Sequence, residues 1–98
     1  MKKDLLKIIN HYGIRNQLKY IHSEYFELDE AVMSAEFSSS MMRSDIRHIA
    51  EEISDTMVML KQIQYYYGIT DDEIRNIMQE KIERQLRRIE EECHTTSK

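Results

Sequence analysis

Residues 46–67 read IRHIAEEISDTMVMLKQIQYYY, and this stretch decides the fold. Its apolar positions Ile46, Ile49, Ile53, Met57, Leu60, Ile63 and Tyr67 alternate in steps of three and four. Only an α-helix puts such a series on one face, here over about six turns. The flanks agree. Gly68 follows as a helix stop. On the other side "SSSMMRSD" interrupts the periodicity, with Ser40 or Ser44 available as an N-cap.

Working outward, a second long helix is expected from about Ile14 to Phe37, carrying Leu18, Ile21, Tyr25, Leu28 and Val32 at the same spacing. Leu5, Leu6, Ile8 and Ile9 mark a short helix before it, ending near Gly13. After Gly68, "TDDE" reads as a capping box, with Thr70 as cap and Glu73 as its partner. Ile74, Ile77, Met78, Ile82, Leu86 and Ile89 then define a last helix, with a frayed tail over residues 93–98. The chain has no Pro and two Gly, so few interior breakers exist. The expectation is one all-α domain over residues 1–98, a bundle of antiparallel long helices completed by self-association, because 98 residues bury only a modest core.

The formal net charge of −4 argues against binding to a nucleic-acid polymer. No run of apolar residues reaches membrane-spanning length, and the N-terminus lacks the continuous apolar region of a signal peptide. A single cysteine, Cys93, makes neither an internal disulfide nor a zinc cluster, and a reducing, cytoplasmic setting is the simpler expectation.

Both long helices carry an acidic pair three residues apart: Glu24 and Glu27 in "EYFELDE", Glu52 and Asp55 in "EEISD". At about 100° per residue, the first pair lies roughly 70° and 130° from the centre of its apolar stripe, and the second roughly 80° and 140° from its own, in the same rotational sense. Antiparallel packing would turn both pairs toward one cleft. Glutamate is a good helix former, and isolated Glu-x-x-Glu pairs are usually solvated. Here no Lys or Arg lies between Ser23 and Met42, so local salt bridges do not account for the acidity. Crowded carboxylates repel unless a cation neutralises them, and a hard ion such as Mg²⁺ takes oxygen ligands. Asp29, Glu30 and Glu51 point elsewhere, toward solvent.

At these residues the chain resembles the MazG-like all-α nucleoside triphosphate pyrophosphohydrolases. Their mark is a Glu-Glu-x-x-Glu segment on one helix and a Glu-x-x-Asp segment on the next. "SEYFELDEA" and "AEEISDTMVML" supply the counterparts, "YGIRNQLKYIHSEYFEL" resembles the family's lead-in, and "KIERQLRRI" its basic closing helix. The likeness spans roughly residues 12 to 89, with short phage-type members nearest in size. It implies hydrolysis of an NTP or dNTP to the monophosphate and pyrophosphate. It implies Mg²⁺, with Mn²⁺ as a substitute, held by Glu24, Glu27, Glu52 and Asp55. Glu27 or Glu52 would orient the attacking water or accept its proton. Lys81, Arg84 and Arg88 are the candidates for the substrate phosphates, although basic residues near a helix C-terminus also serve the dipole. A homo-dimer or homo-tetramer is expected.

Ser23 stands where the family's first Glu would be. That departure leaves four carboxylates and keeps a second reading open, a non-catalytic helical interaction module on the same scaffold. Other signals are weaker. Asp45-x-x-His48 and Glu91-x-x-His94 make a poor di-iron pattern. His48 lies four residues before Glu52 and could pair with it, although a helix-surface histidine is the more ordinary reading, and Tyr65, Tyr66 and Tyr67 suit packing or an interface.

Overall fold

The computed structural model describes residues 1–96, with side chains described through residue 94. Four helices account for nearly all of them: α1 (Lys2–Tyr12), α2 (Ile14–Glu36), α3 (Arg43–Tyr66) and α4 (Asp71–Thr96). The all-α expectation holds among the described residues. The chain divides into two compact units, Met1–Gly68 and a second that begins at Ile69 and holds α4.

The α1–α2 corner is made by Gly13, which has φ 89° and ψ 147° and donates its N–H to the Ile9 carbonyl at 2.7 Å. This is an extended conformation of positive φ, open to glycine and strained for residues with a Cβ. It lets α1 fold back against α3 and α2. Leu5 and Ile9 are the buried residues of α1. Ile9 is fully covered, which is worth about 1.5–3 kcal/mol of apolar transfer for such a side chain. The ammonium groups of Lys2 and Lys61 each lie 5.5 Å from the centre of the buried Tyr65 ring, tying α1 to α3 by a cation–π contact.

The α3 cap differs from the expected serine. Asp45 accepts a hydrogen bond from the Met42 N–H at 2.9 Å, so an acidic side chain one turn into the helix reaches back to its start. At the other end Gly68 takes φ 70°, as expected. The Thr70 hydroxyl accepts the Glu73 N–H at 3.1 Å, the expected first half of the capping box. Helix α4 continues through Cys93 and His94 to Thr96, where the sequence suggested fraying, and residues 97–98 lie outside the described residues.

Helices α2 and α3 pack against each other, but through a face displaced from the apolar stripes. The covered or half-covered series on α2 is Gln17, Ile21, Glu24, Leu28, Ala31 and Ala35. On α3 it is Asp45, Ile49, Glu52, Thr56, Met59 and Ile63. Both keep the 4-3-4-3-4 spacing of an antiparallel helix seam. Leu18, Tyr25 and Val32, with Ile46, Ile53, Met57, Leu60 and Tyr67, are exposed instead. The contact surface is therefore rotated by about 50–60° toward the acidic side of each stripe. Alanines at 31 and 35 give the close approach at the C-terminal end of α2. On α4 the stripe residues Ile77, Met78, Ile82, Leu86 and Ile89 are also exposed.

Candidate metal centre

The two seams follow one numbering rule. Each α2 position has its counterpart 28 residues later on α3: Ile21 and Ile49, Glu24 and Glu52, Glu27 and Asp55. Gln17 lies level with Gln62, to which its side-chain N–H donates at 2.8 Å. Moving along α2 toward its C-terminus moves along α3 toward its N-terminus, because the helices are antiparallel. Glu24 therefore comes level with Asp55, and Glu27 with Glu52. The acidic pairs meet at the midpoint of this local two-fold arrangement.

One carboxylate oxygen from each of Glu24, Glu52 and Asp55 lies within 4.8 Å of the others, a spacing that a single cation can span. Glu52 is only 9% exposed, Glu24 is half-buried, and Asp55 is exposed. Glu27 lies outside that closest group but near enough for its charge to act on both Glu24 and Glu52. The structure thus brings together all four carboxylates expected from sequence, in two tiers: a covered pair, half-buried Glu24 and buried Glu52, and an exposed pair, Glu27 and Asp55.

Burial comes first in raising the Glu24 carboxyl above the ordinary range, followed by repulsion from Glu27, Asp55 and Glu52. Burial likewise leads for Glu52, with Glu27 and Asp55 adding to it and His48 opposing. His48 Nδ1 stands 4.0 Å from Glu52 Oε1, too long for a hydrogen bond, and its ring is mostly exposed. Glu24 Oε2 and Glu52 Oε2 are the buried side-chain oxygens without a hydrogen-bond partner among the described residues. Buried acceptors facing other carboxylates are satisfied by protons or by a cation. This donor set, all oxygen and partly buried, fits Mg²⁺ or Mn²⁺.

A pH dependence follows. The raised groups hold their protons to higher pH in the folded protein than in the unfolded chain. Their stabilising contribution is complete below the ordinary glutamate range and is lost as pH rises through the raised native values. The metal-free protein is therefore expected to melt at progressively lower temperature as pH rises above the ordinary glutamate range. Millimolar Mg²⁺, which competes with those protons, is expected to flatten or reverse the trend. Thermal melts in EDTA and in Mg²⁺ from that range upward check this, and a midpoint in EDTA that rises with pH would contradict it.

The remaining residues sort clearly. Glu51 is exposed and pairs with Arg47 at 3.1 Å, and Asp29 and Glu30 are exposed, as expected. Ser23 is exposed and lies about 100° around α2 from Glu24, beyond Glu27. A carboxylate there would stand at the outer edge of the group. Lys81 and Arg84 line a surface pocket on α4 with Ile77, Glu80 and Arg87, while Arg88 is exposed outside that lining. These bases belong to the second unit, the carboxylates to the first. Of the tyrosines, Tyr65 is buried, whereas Tyr66 and Tyr67 are exposed and meet edge to face at 5.0 Å.

Sequence reading missed the seam partners Gln17 and Gln62, 5% and 2% exposed. The signal was present, since Gln17 begins the same 4-3-4-3-4 series that contains Glu24. No described helix is long and apolar enough to cross a membrane. Comparisons of the chain with family models, curated proteins and solved structures found no match.

Proposed function

We propose that this chain is a Mg²⁺-dependent nucleoside triphosphate pyrophosphohydrolase of MazG-like type, cleaving an NTP or dNTP to the monophosphate and pyrophosphate. The observation that carries the reading is the pair of buried, unpartnered oxygens on Glu24 and Glu52, set among Glu27 and Asp55 at the midpoint of two antiparallel helices. A stability-driven seam would place apolar side chains at those two positions, since unpaired buried charge is costly.

When bound, Mg²⁺ or Mn²⁺ neutralises polyphosphate oxygens and acidifies a coordinated water. Glu24, Glu52 and Asp55 would hold the ion, with Glu27 beside them. Glu27 is the better-placed base, because it is exposed and lies beside both Glu24 and Glu52, whereas Glu52 is covered. Water adds to the α-phosphorus, the bond to the α–β bridging oxygen breaks, and the water proton passes to Glu27. Pyrophosphate leaves. Lys81, Arg84 and Arg88 are the proposed cations for its charge.

The uncovered apolar stripes of α2 and α3, and separately that of α4, support the second part of the proposal, a homo-dimer or homo-tetramer, since apolar stripes left open in this way mark interfaces. The test of activity is release of pyrophosphate from a panel of NTPs and dNTPs at millimolar Mg²⁺. Turnover of at least one substrate with pyrophosphate as product is expected. Release of single phosphates alone, or no turnover across the panel, would refute the reading. The second reading, a non-catalytic module, draws on Ser23 and is favoured by a melting midpoint that millimolar Mg²⁺ leaves unshifted, with or without nucleotide.

A further inference from the structure

We propose that Gln17 and Gln62 are positioning residues, and that their buried amide–amide bond fixes the axial register that brings Glu24 level with Asp55 and Glu27 level with Glu52. The inference rests on the metal-centre reading for its consequence, but its observation is separate. Gln17 donates to Gln62 across 45 residues of sequence, both side chains are buried, and the bond lies two turns along α2 from Glu24. Gln62 in turn donates to the Met59 sulfur at 3.8 Å, which anchors its amide in one orientation.

The rest of the seam specifies register weakly. Apart from Met59, its apolar members are small or half-covered, and its centre is a set of like charges. The strong apolar stripes face outward, so they do not align α2 on α3. A slip of one heptad would preserve the 4-3-4-3-4 pattern while setting Glu24 level with Gln62 or with His48. Such a slip strands two buried amides and scatters the carboxylates. A polar group buried in a helix seam excludes such alternatives in coiled coils, where it sets register at a cost in stability.

The experiment uses the full chain with Cys93→Ser, and spin labels on cysteines placed at the exposed, level positions Asp29 and Ala50. Labelled protein is diluted with unlabelled protein, so that only distances within one chain are read. The double variant Gln17→Met, Gln62→Met keeps side-chain volume and removes the bond. A shifted or broadened distance is expected, together with Mn²⁺ affinity at least tenfold weaker and a metal-free melting midpoint no lower than the parent's. Should the double variant fail to fold, Gln17→Asn, one methylene too short to reach Gln62, is read the same way. An unchanged distance of unchanged width overturns the proposal, whatever the metal does. A changed distance in a protein whose parent binds no Mn²⁺ upholds the register role and sinks the metal-centre reading instead.

Discussion

Glu52→Gln is expected to abolish pyrophosphate release while producing a protein that is as helical as the parent and melts higher in EDTA. The two halves have one cause. Glu52 is the most buried carboxylate of the group, with one oxygen unpartnered and with Glu27 and Asp55 opposing its charge. Glutamine keeps the shape, removes the repulsion and supplies an N–H donor where the neighbours are acceptors. The folded apo state gains. The same change removes a charged ligand, so the ion loses its most covered contact. At a Mg²⁺ concentration 100 times its dissociation constant, the parent protein gains about 2.7 kcal/mol from binding. The variant is expected to gain close to nothing, and the pH slope of the metal-free melt is expected to shrink. Calorimetry with and without Mg²⁺ reads all three effects. A variant that melts below the parent in EDTA would show that Glu52 is an ordinary structural residue. This opposition of stability and activity is what a ligand group held in place before its ion arrives should display.

The elements were legible in the sequence because their signals are local. The spacing from Ile46 to Tyr67 gave α3, and Gly13, Gly68 and Thr70 gave three of the helix ends within a residue or two. The acidic residues were legible as a group because i, i+3 pairs share a face whatever that face meets. What the stripe did not give was the seam. The rule that the most apolar face is buried assumes that the chain itself supplies the cover. Here α2 and α3 meet through Gln17, Glu24, Ala31, Glu52, Thr56 and Met59, and they leave Leu18, Tyr25, Ile53, Met57 and Leu60 facing out. The carboxylates assigned to a shoulder, Glu24 and Glu52, lie instead near the centre of the contact. The displacement makes their burial deeper, and their protons more tightly held, than the shoulder geometry implied. Two alanines in one helical register, and the recurrence of the seam 28 residues later, were the sequence signals that pointed to the true face.

Leu60→Asp tests what covers the outward face. Leu60 is 52% exposed on α3 and continues the line of Ile46, Ile53 and Met57. In a two-fold assembly one substitution appears twice at the interface. Burying an unpaired polar group costs roughly 2–7 kcal/mol, so even the low end, counted twice, raises a dissociation constant by about a thousandfold. Light scattering is then expected to report the mass of a single chain where the parent reports two or four. Retention of the parent's mass would exclude this face as the interface. The substitution stands eight residues from Glu52, about 12 Å along the helix, and Leu60 lies outside the α2–α3 seam. Mg²⁺ binding by the separated chain therefore has a definite meaning. The carboxylates all come from one chain, so the ion is expected to bind with its affinity largely kept. Turnover is expected to fall if the phosphate cations are supplied across the interface, and to survive if a single chain supplies them. A monomer that binds Mg²⁺ and does not turn over would divide the site into a metal half complete in one chain and a phosphate half that assembly completes.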